Sequence, residues 1–523
     1  MVNEMFSPLA KWLCFTFVVM LPQTLIAQPF EQTYRNPVIA GDFPDPTVIR
    51  VGSDYYACGT SHDFVPAYPL YHSTDLANWR RIGSVFNELP EWVSGSCWAP
   101  ELFYENGKFF VYYTAKRKSD NVSCIGVAVA NDIREGFVDH GVIIEWGKEA
   151  IDAFIFEDDQ GKKFISWKAY GLNPTREIEI LASELSGDGL SLVGDHFSLT
   201  RHDKGWKGAG DEGQCILKHG DYYYHFYSVG GCCDNRCDYN IRVARTKDLH
   251  GDWEQYEAGS ILHGGGLWKC SGHGTMVTTP DGRFFYLYHA YHRYDFEYVG
   301  RQGMLDELLW DDASGWPYFR YGPIPTVQAP VPLRNTQQLR RSLFRDDFES
   351  VENLIPWQWD VGLSKPVISQ QAGQLGLQNQ NNGLTFLGVD TRVGNYSVET
   401  TMVDATGGFN GLCVYANPEN LIMWGVEDQQ IKLKSIRRGE AEETVCGSID
   451  TNQKVHLKFQ AVNARLFSFF WSTDGANWNR FPEGVEHVDA SDLPPWTRSI
   501  RVGFVQEGLD SLASFEYFMV SDQ

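Results

Sequence analysis

A chain of 523 residues with a formal charge of −23 and a pI near 5.0 repels nucleic acid and anionic membrane surfaces, so neither is an expected partner. The length exceeds one small core and fits two domains behind a targeting segment. Aromatic residues make up 14%, a share that sugar-binding faces and β-rich cores both consume.

The first element is an apolar stretch from Leu9 to Ala27, ending in Leu25-Ile26-Ala27 before Gln28. A hydrophobic segment closed by a small residue reads as a secretory signal, residues 1–27, cleaved after Ala27; a membrane anchor is the alternative. A secreted or periplasmic protein is expected, with no membrane association after cleavage.

From Asp45 to Tyr291 one unit then repeats five times. Aromatic runs mark it: Asp54-Tyr55-Tyr56, Lys108-Phe109-Phe110, Lys163-Phe164-Ile165, Asp221-Tyr222-Tyr223 and Arg283-Phe284-Phe285. Ahead of each run, at the head of an apolar segment, stand Asp45, Trp98, Asp152, Glu212 and His273, spaced by 53, 54, 60 and 61 residues. Self-similarity at this period in β-rich units predicts a five-bladed β-propeller over residues 28–334. With each head residue on its blade's innermost strand, three carboxylates, a histidine and a tryptophan face one channel. That is the make-up of an active site. A second echo supports the register: Ser73 to Trp79, Asn131 to Phe137 and Thr246 to Trp253 each read as a tight turn feeding an outer strand. A similar phrase, Ser472 to Trp478, lacks the upstream pattern and reads as an Asp-Gly hairpin, not a sixth blade.

Of 11 cysteines, Cys14 leaves with the signal and ten remain. The dense group Cys232, Cys233 and Cys237 follows the Glu212 segment and is expected to line the channel mouth. At least one disulfide there fits an exported protein; a metal site or free thiols are the alternatives. The Pro-rich stretch Pro323 to Pro332 cannot form a helix and should run extended across a blade. After a linker, residues 335–341, the pattern changes to strands without the longer repeat. Residues 342–523 are expected to form a β-sandwich of jelly-roll type, making the chain all-β.

Hydrolysis of a glycosidic bond needs a proton for the leaving oxygen and a base or nucleophile on the other face of the sugar. Two carboxyls do this when their surroundings push their pKa values apart. Asp45 lies between prolines in Phe43-Pro44-Asp45-Pro46, Asp152 in the apolar Ala150-Ile151-Asp152-Ala153-Phe154, and Glu212 in Gly210-Asp211-Glu212-Gly213. Any one of these alone would read as a surface carboxylate; three at matching blade positions point to catalysis.

These segments resemble glycoside hydrolase family 43, whose members are five-bladed propellers that invert the anomeric centre. Arg35-Asn36-Pro37-Val38 leading to Phe43-Pro44-Asp45-Pro46, Trp98-Ala99-Pro100-Glu101, Ile151-Asp152, Glu212-Gly213, Gly272-His273-Gly274, Gly300-Arg301-Gln302 and Gly315-Trp316-Pro317 carry the likeness, over roughly Arg35 to Arg334. The resemblance implies Asp45 as general base, Glu212 as general acid, and Asp152 as the residue that orients the acid and raises its pKa. It implies that Trp98 and Arg301 shape the sugar pocket. His273 matches a histidine that in many members helps hold calcium in the channel; a buried structural histidine is the other reading, and no cofactor is required for the chemistry. Gln214 departs from the Gly-Pro that follows the acid in many members, which puts the local loop in doubt. The C-terminal region resembles the concanavalin-like sandwich of some members, where it would bind glycan, complete the site's rim or buttress the propeller.

His263-Gly264-Gly265-Gly266 is similar to an esterase oxyanion loop, but no Gly-x-Ser-x-Gly elbow accompanies it. The sequons at Asn121 and Asn395 matter only in a eukaryotic host. The resulting expectation is a monomeric, exo-acting enzyme that releases terminal α-L-arabinofuranose from a neutral arabinose- or xylose-containing glycan. β-Xylosidase stands close behind, with an endo-arabinanase or a non-catalytic sugar-binding propeller further off. Tyr170 to Pro174 and the Cys232–Cys237 loop are the expected walls of a narrow pocket.

Overall fold

A computed structural model describes Met1 and residues 32–146, 148–173, 176–200, 211–234, 236–294, 296–334, 336–339, 344–350, 355–371, 373–450, 453–494 and 498–522, the side chains of 171–177 and 296–297 aside. The expected signal segment and its cleavage point lie outside the described residues, as do residues 335, 340 and 341 of the linker.

Five antiparallel sheets follow one another along the chain. Blade 1 is Thr47–Val51, Asp54–Cys58, Ala67–Ser73 and Arg80–Phe86. Blade 2 is Val93–Glu105, Lys108–Arg117, Ser123–Ala130 and Val138–Ile144, and blade 3 is Glu149–Glu157, Lys163–Asn173, Arg176–Leu185 and Leu192–Ser198. Blade 4 is Glu212–His219, Tyr222–Val229, Asn240–Thr246 and Glu254–Gln255, with Leu262–His263 also on its third strand. Blade 5 is Trp268–Thr278, Phe284–His292, Arg301–Trp310 and Pro317–Phe319. The aromatic runs open the second strand of every blade, where Tyr55, Phe110, Phe164, Tyr223 and Phe285 are buried between sheets. Among the described residues the only helix is the four-residue turn Phe296–Val299, and no helix is long and apolar enough to cross a membrane.

Side chains stitch neighbouring blades around the ring. Thr47 Oγ1 donates to Glu101 Oε2 at 2.7 Å, joining blades 1 and 2, and Thr114 Oγ1 accepts from the Asp152 amide at 3.1 Å, joining blades 2 and 3. Asp152 Oδ2 accepts from Gly213 N at 3.0 Å, Ser228 Oγ from His273 N at 2.8 Å, and Thr275 Oγ1 from Val48 N at 2.8 Å, which closes the circle. The closure is reinforced from outside. Asn36 exchanges two bonds of 2.9 Å with the Leu305 backbone, the part the Arg35-Asn36-Pro37 motif plays in this fold. The Pro-rich segment does run extended: Gln328–Pro330 pairs antiparallel with Thr33–Arg35.

The second body stacks a nine-stranded and a six-stranded antiparallel sheet over a core that includes Trp357, Trp424, Phe459 and Phe504. The other face of the six-stranded sheet buries Phe386, Phe409, Tyr415 and Val505 together with Phe64 of the propeller. Trp359–Asp360 pairs with Phe64–Val65, and Arg501 of the sandwich reaches Asp42 at 3.3 Å. The sandwich therefore buttresses the propeller on the side of Asp42, three residues from Asp45.

Candidate active site

On or just before each inner strand, equivalent positions adopt the left-handed region: Asp45 (φ 51°), Ala99 (37°), Asp152 (59°), Gly213 (57°) and His273 (40°). Register shifts against the second strand accompany four of them, between Trp98 and Glu101, Ile151 and Phe154, Glu212 and Cys215, and Gly272 and Gly274. These are β-bulges, which re-aim side chains out of the alternating pattern. The five-fold equivalence thus differs from the sequence register at two blades: Asp45, Asp152 and His273 occupy the left-handed position, whereas Trp98 and Glu212 each precede it by one residue. At Gly213 a side chain is excluded twice, by its φ and by the His273 ring, whose Cγ would lie 2.6 Å from an added Cβ.

Asp45 and Asp152 meet at His273, and Glu212 lies close to Asp152. His273 Nδ1 lies 3.4 Å from Asp45 Oδ1 and 3.8 Å from Asp152 Oδ2. Asp45 is almost fully buried and saturated with partners. Arg301 Nη1 donates to Oδ1 at 2.9 Å and the Thr60 hydroxyl to Oδ2 at 2.7 Å. Thr60 is itself fixed by accepting the Ala99 amide at 2.7 Å, and His289 Nδ1 accepts the Asp45 amide at 3.1 Å. Burial alone would push the Asp45 carboxyl up; Arg301, His273, His289 and Thr60 together outweigh it and hold it well below the usual carboxylate range. Burial, reinforced by Arg301, holds the His289 imidazole neutral. Asp45 is thus kept ionised.

Asp152 has no such counter-ion. Its Oδ2 accepts from Gly213 N, its carbonyl accepts from Gln214 Nε2, and burial followed by the nearby Glu212 charge pushes its carboxyl up to about 6, against the opposing pull of His273 and Lys168. Gln214 is buried, and its side chain ties the Glu212 strand to blade 3. Glu212 faces the channel with two partners: Lys168 Nζ pairs closely with Oε2, and Tyr239 OH donates to Oε1 at 2.8 Å. Lys168 is itself buried and lies 4.4 Å from the Tyr170 ring.

Arg301 is placed at the site by its bond to Asp45. Trp98 is half-buried with Lys116 Nζ 5.8 Å from its ring. Calcium takes six to eight oxygens, whereas the His273 nitrogen faces carboxylates already held by Arg301, Thr60 and Gly213. Among the described residues no group of three or more His, Cys, Asp or Glu could hold a metal, so these side chains do not fit an ion on His273. Cys232 is bonded to Cys233, and Cys237 to Cys270, which lies three residues before His273. That second bond ties the loop carrying Tyr239 to the inner strand of blade 5. Of the expected wall at Tyr170 to Pro174, only the Tyr170 side chain lies within the described residues.

Sequence reasoning missed Thr60, Lys168, Tyr239, Cys270 and His289. Lys168 left a trace, a lysine inside the buried strand Ile165-Ser166-Trp167-Lys168-Ala169. The others become visible only through the fold.

The model of "Glycosyl hydrolases family 43" matches residues 34–317, and that of "Beta xylosidase C-terminal Concanavalin A-like domain" matches residues 345–497. A "Xylan 1,3-beta-xylosidase" of Vibrio sp is 26% identical over 93% of this chain and 98% of its own length. An "Extracellular exo-alpha-(1->5)-L-arabinofuranosidase ArbA" of Cellvibrio japonicus is 29% identical over 53% of this chain and 86% of its own. In fold, the chain is similar to a xylan beta-1,4-xylosidase from Bacillus halodurans C-125, with a TM-score of 0.82 at 20% identity over 94% of this chain and 100% of that one. With a matched propeller and three carboxylates gathered at its channel, the chain belongs to glycoside hydrolase family 43 and is a glycosidase.

Proposed function

We propose that the protein is an exo-acting, inverting β-xylosidase that removes single terminal residues from a xylose-containing glycan. The observation that carries the chemistry is the unequal treatment of the carboxylates. Asp45, held ionised by Arg301, takes a proton from water as the water attacks the anomeric carbon. Glu212 gives its proton to the departing glycosidic oxygen, and the C1–O electron pair goes to that oxygen. Asp152, bonded to the amide next to Glu212, orients the acid.

The choice of sugar is supported by the relative that aligns end to end, whose name is that of a xylosidase, and by the xylosidase-type C-terminal domain. α-L-Arabinofuranosidase is the second reading, supported by the arabinofuranosidase similar to the propeller alone. Export from the cell follows the Leu9–Ala27 segment in this proposal. Incubation with 4-nitrophenyl β-D-xyloside and α-L-arabinofuranoside, with NMR of the first anomer formed, tests it. Release of α-xylose from the β-xyloside is expected. Turnover of the arabinofuranoside alone would select the second reading, and turnover of neither, or internal oligosaccharides from a linear arabinan, would overturn both.

A further inference from the structure

The mechanism above uses two of the three carboxylates directly and leaves one buried cation without a task. Lys168 comes from the second strand of blade 3, is 2% exposed, and places Nζ on Glu212 Oε2. A lysine gives up hydration to be there, a cost that only a partner charge offsets. Its ring neighbour Tyr170 lies on the same strand, and the partner it meets on the next blade is Glu212.

We propose that Lys168 is a positioning residue for the general acid: it neutralises the carboxylate that Glu212 becomes as its proton leaves for the glycosidic oxygen. The inference rests on the reading of Glu212 as the acid. Each turnover that begins with a protonated Glu212 ends with it ionised, in a site that already holds Asp45 and Asp152. An ammonium on Oε2 interacts more strongly with that product-side state than with the neutral acid, so it lowers the barrier to proton release. The groups facing Glu212 are Lys168 and Tyr170 from the second strand of blade 3, Asp152 from its first, Tyr239 from the loop tied by Cys237–Cys270, and His273 across Gly213.

Full-length Lys168→Met, compared with Glu212→Gln, tests the proposal on two pentosides of the sugar the enzyme accepts, one methyl and one 4-nitrophenyl. For Lys168→Met, kcat on the methyl glycoside should fall by about tenfold or more. On the nitrophenyl glycoside, whose leaving group needs little protonation, it should fall by less than about threefold. The alkaline limb of kcat/KM should move up by about one pH unit, since a cation near a carboxyl lowers its pKa by about 1–3. Added to Glu212→Gln, the substitution should change little, because its partner charge no longer forms. Equal loss on both glycosides with an unmoved alkaline limb would overturn the role of Lys168, provided Glu212→Gln alone still separates the two substrates. If Glu212→Gln damages both equally, the acid assignment itself falls. Should Lys168→Met fail to fold, Lys168→Gln carries the same expectations.

Discussion

On the wall of the channel built by blades 1 and 5, the Asp45 carboxylate is held by a guanidinium and a hydroxyl beside the His273 imidazole, and its charge is locked in. On the wall built by blades 3 and 4, Glu212 meets an ammonium and a phenol while Asp152, with no cation of its own, lies close by. One wall holds its carboxyl ionised with a guanidinium; the other sets an ammonium on Glu212 and a second carboxylate close by. The difference teaches that Asp45 and Asp152, which are buried alike, are told apart here by counter-ions rather than by burial.

The largest expected effect breaks the first wall. Asp45→Asn leaves no group to activate water, and kcat should drop by about 10²–10⁴ on good and poor leaving groups alike. Retention of more than about a hundredth of the wild-type rate would point to another base. Arg301→Gln is expected to come next. Without the guanidinium, burial dominates and the Asp45 carboxyl rises, so the acidic limb of kcat/KM should move to higher pH by about 1–3 units. A stationary acidic limb, measured over the same range, would remove Arg301 from that role.

The smallest effect sharpens the second wall and concerns stability. The Asp152 carboxyl is raised by burial from its ordinary value of 3.8 to about 6, so between those pH values the folded protein keeps a proton that the unfolded chain gives up. Stability contributed by this residue is therefore lost as pH rises through that window. Asp152→Asn can still accept the Gly213 amide, carries no charge, and should gain on the order of 1–3 kcal/mol over wild type at pH 7 but almost nothing at pH 4. Unfolding followed at the two pH values checks it. An equal effect at both would mean that Asp152 is not carrying the penalty, whatever its effect on activity.

Much of this arrangement was legible in the sequence, for identifiable reasons. The blade repeat showed because each blade must bury an aromatic second strand, and the trio Asp45, Asp152 and Glu212 showed because it stands at the head of those units. The one-residue offset of Trp98 and Glu212 did not show, because a bulge is a backbone event that leaves no compositional mark. Lys168, Tyr239 and His289 escaped for a different reason: they reach the site from second strands and a connecting loop, where the repeat places no fixed residue. The phrase Ser73 to Trp79 and its near copy Ser472 to Trp478 illustrate the limit. Both form the same turn, with the serine hydroxyl and aspartate carboxylate accepting equivalent amides. Yet one lies in a propeller blade and the other in the sandwich. Where the sandwich has Gly475 at φ 70°, the blade has Leu76 at φ 65°, a left-handed leucine kept in place by complete burial. A local motif sets a turn; the surrounding pattern sets the fold.

The division of labour between the walls is tested most directly by rate dependence on the leaving group in Glu212→Gln. A series of aryl and alkyl pentosides spanning leaving-group pKa should be followed for wild type, Glu212→Gln and Asp45→Asn. The account predicts that Glu212→Gln loses little on the best leaving groups and about 10²–10⁴ on the poorest. Asp45→Asn should be depressed across the whole series without a change of slope. Parallel lines for Glu212→Gln and wild type would contradict the account, because the proton would then not come from Glu212.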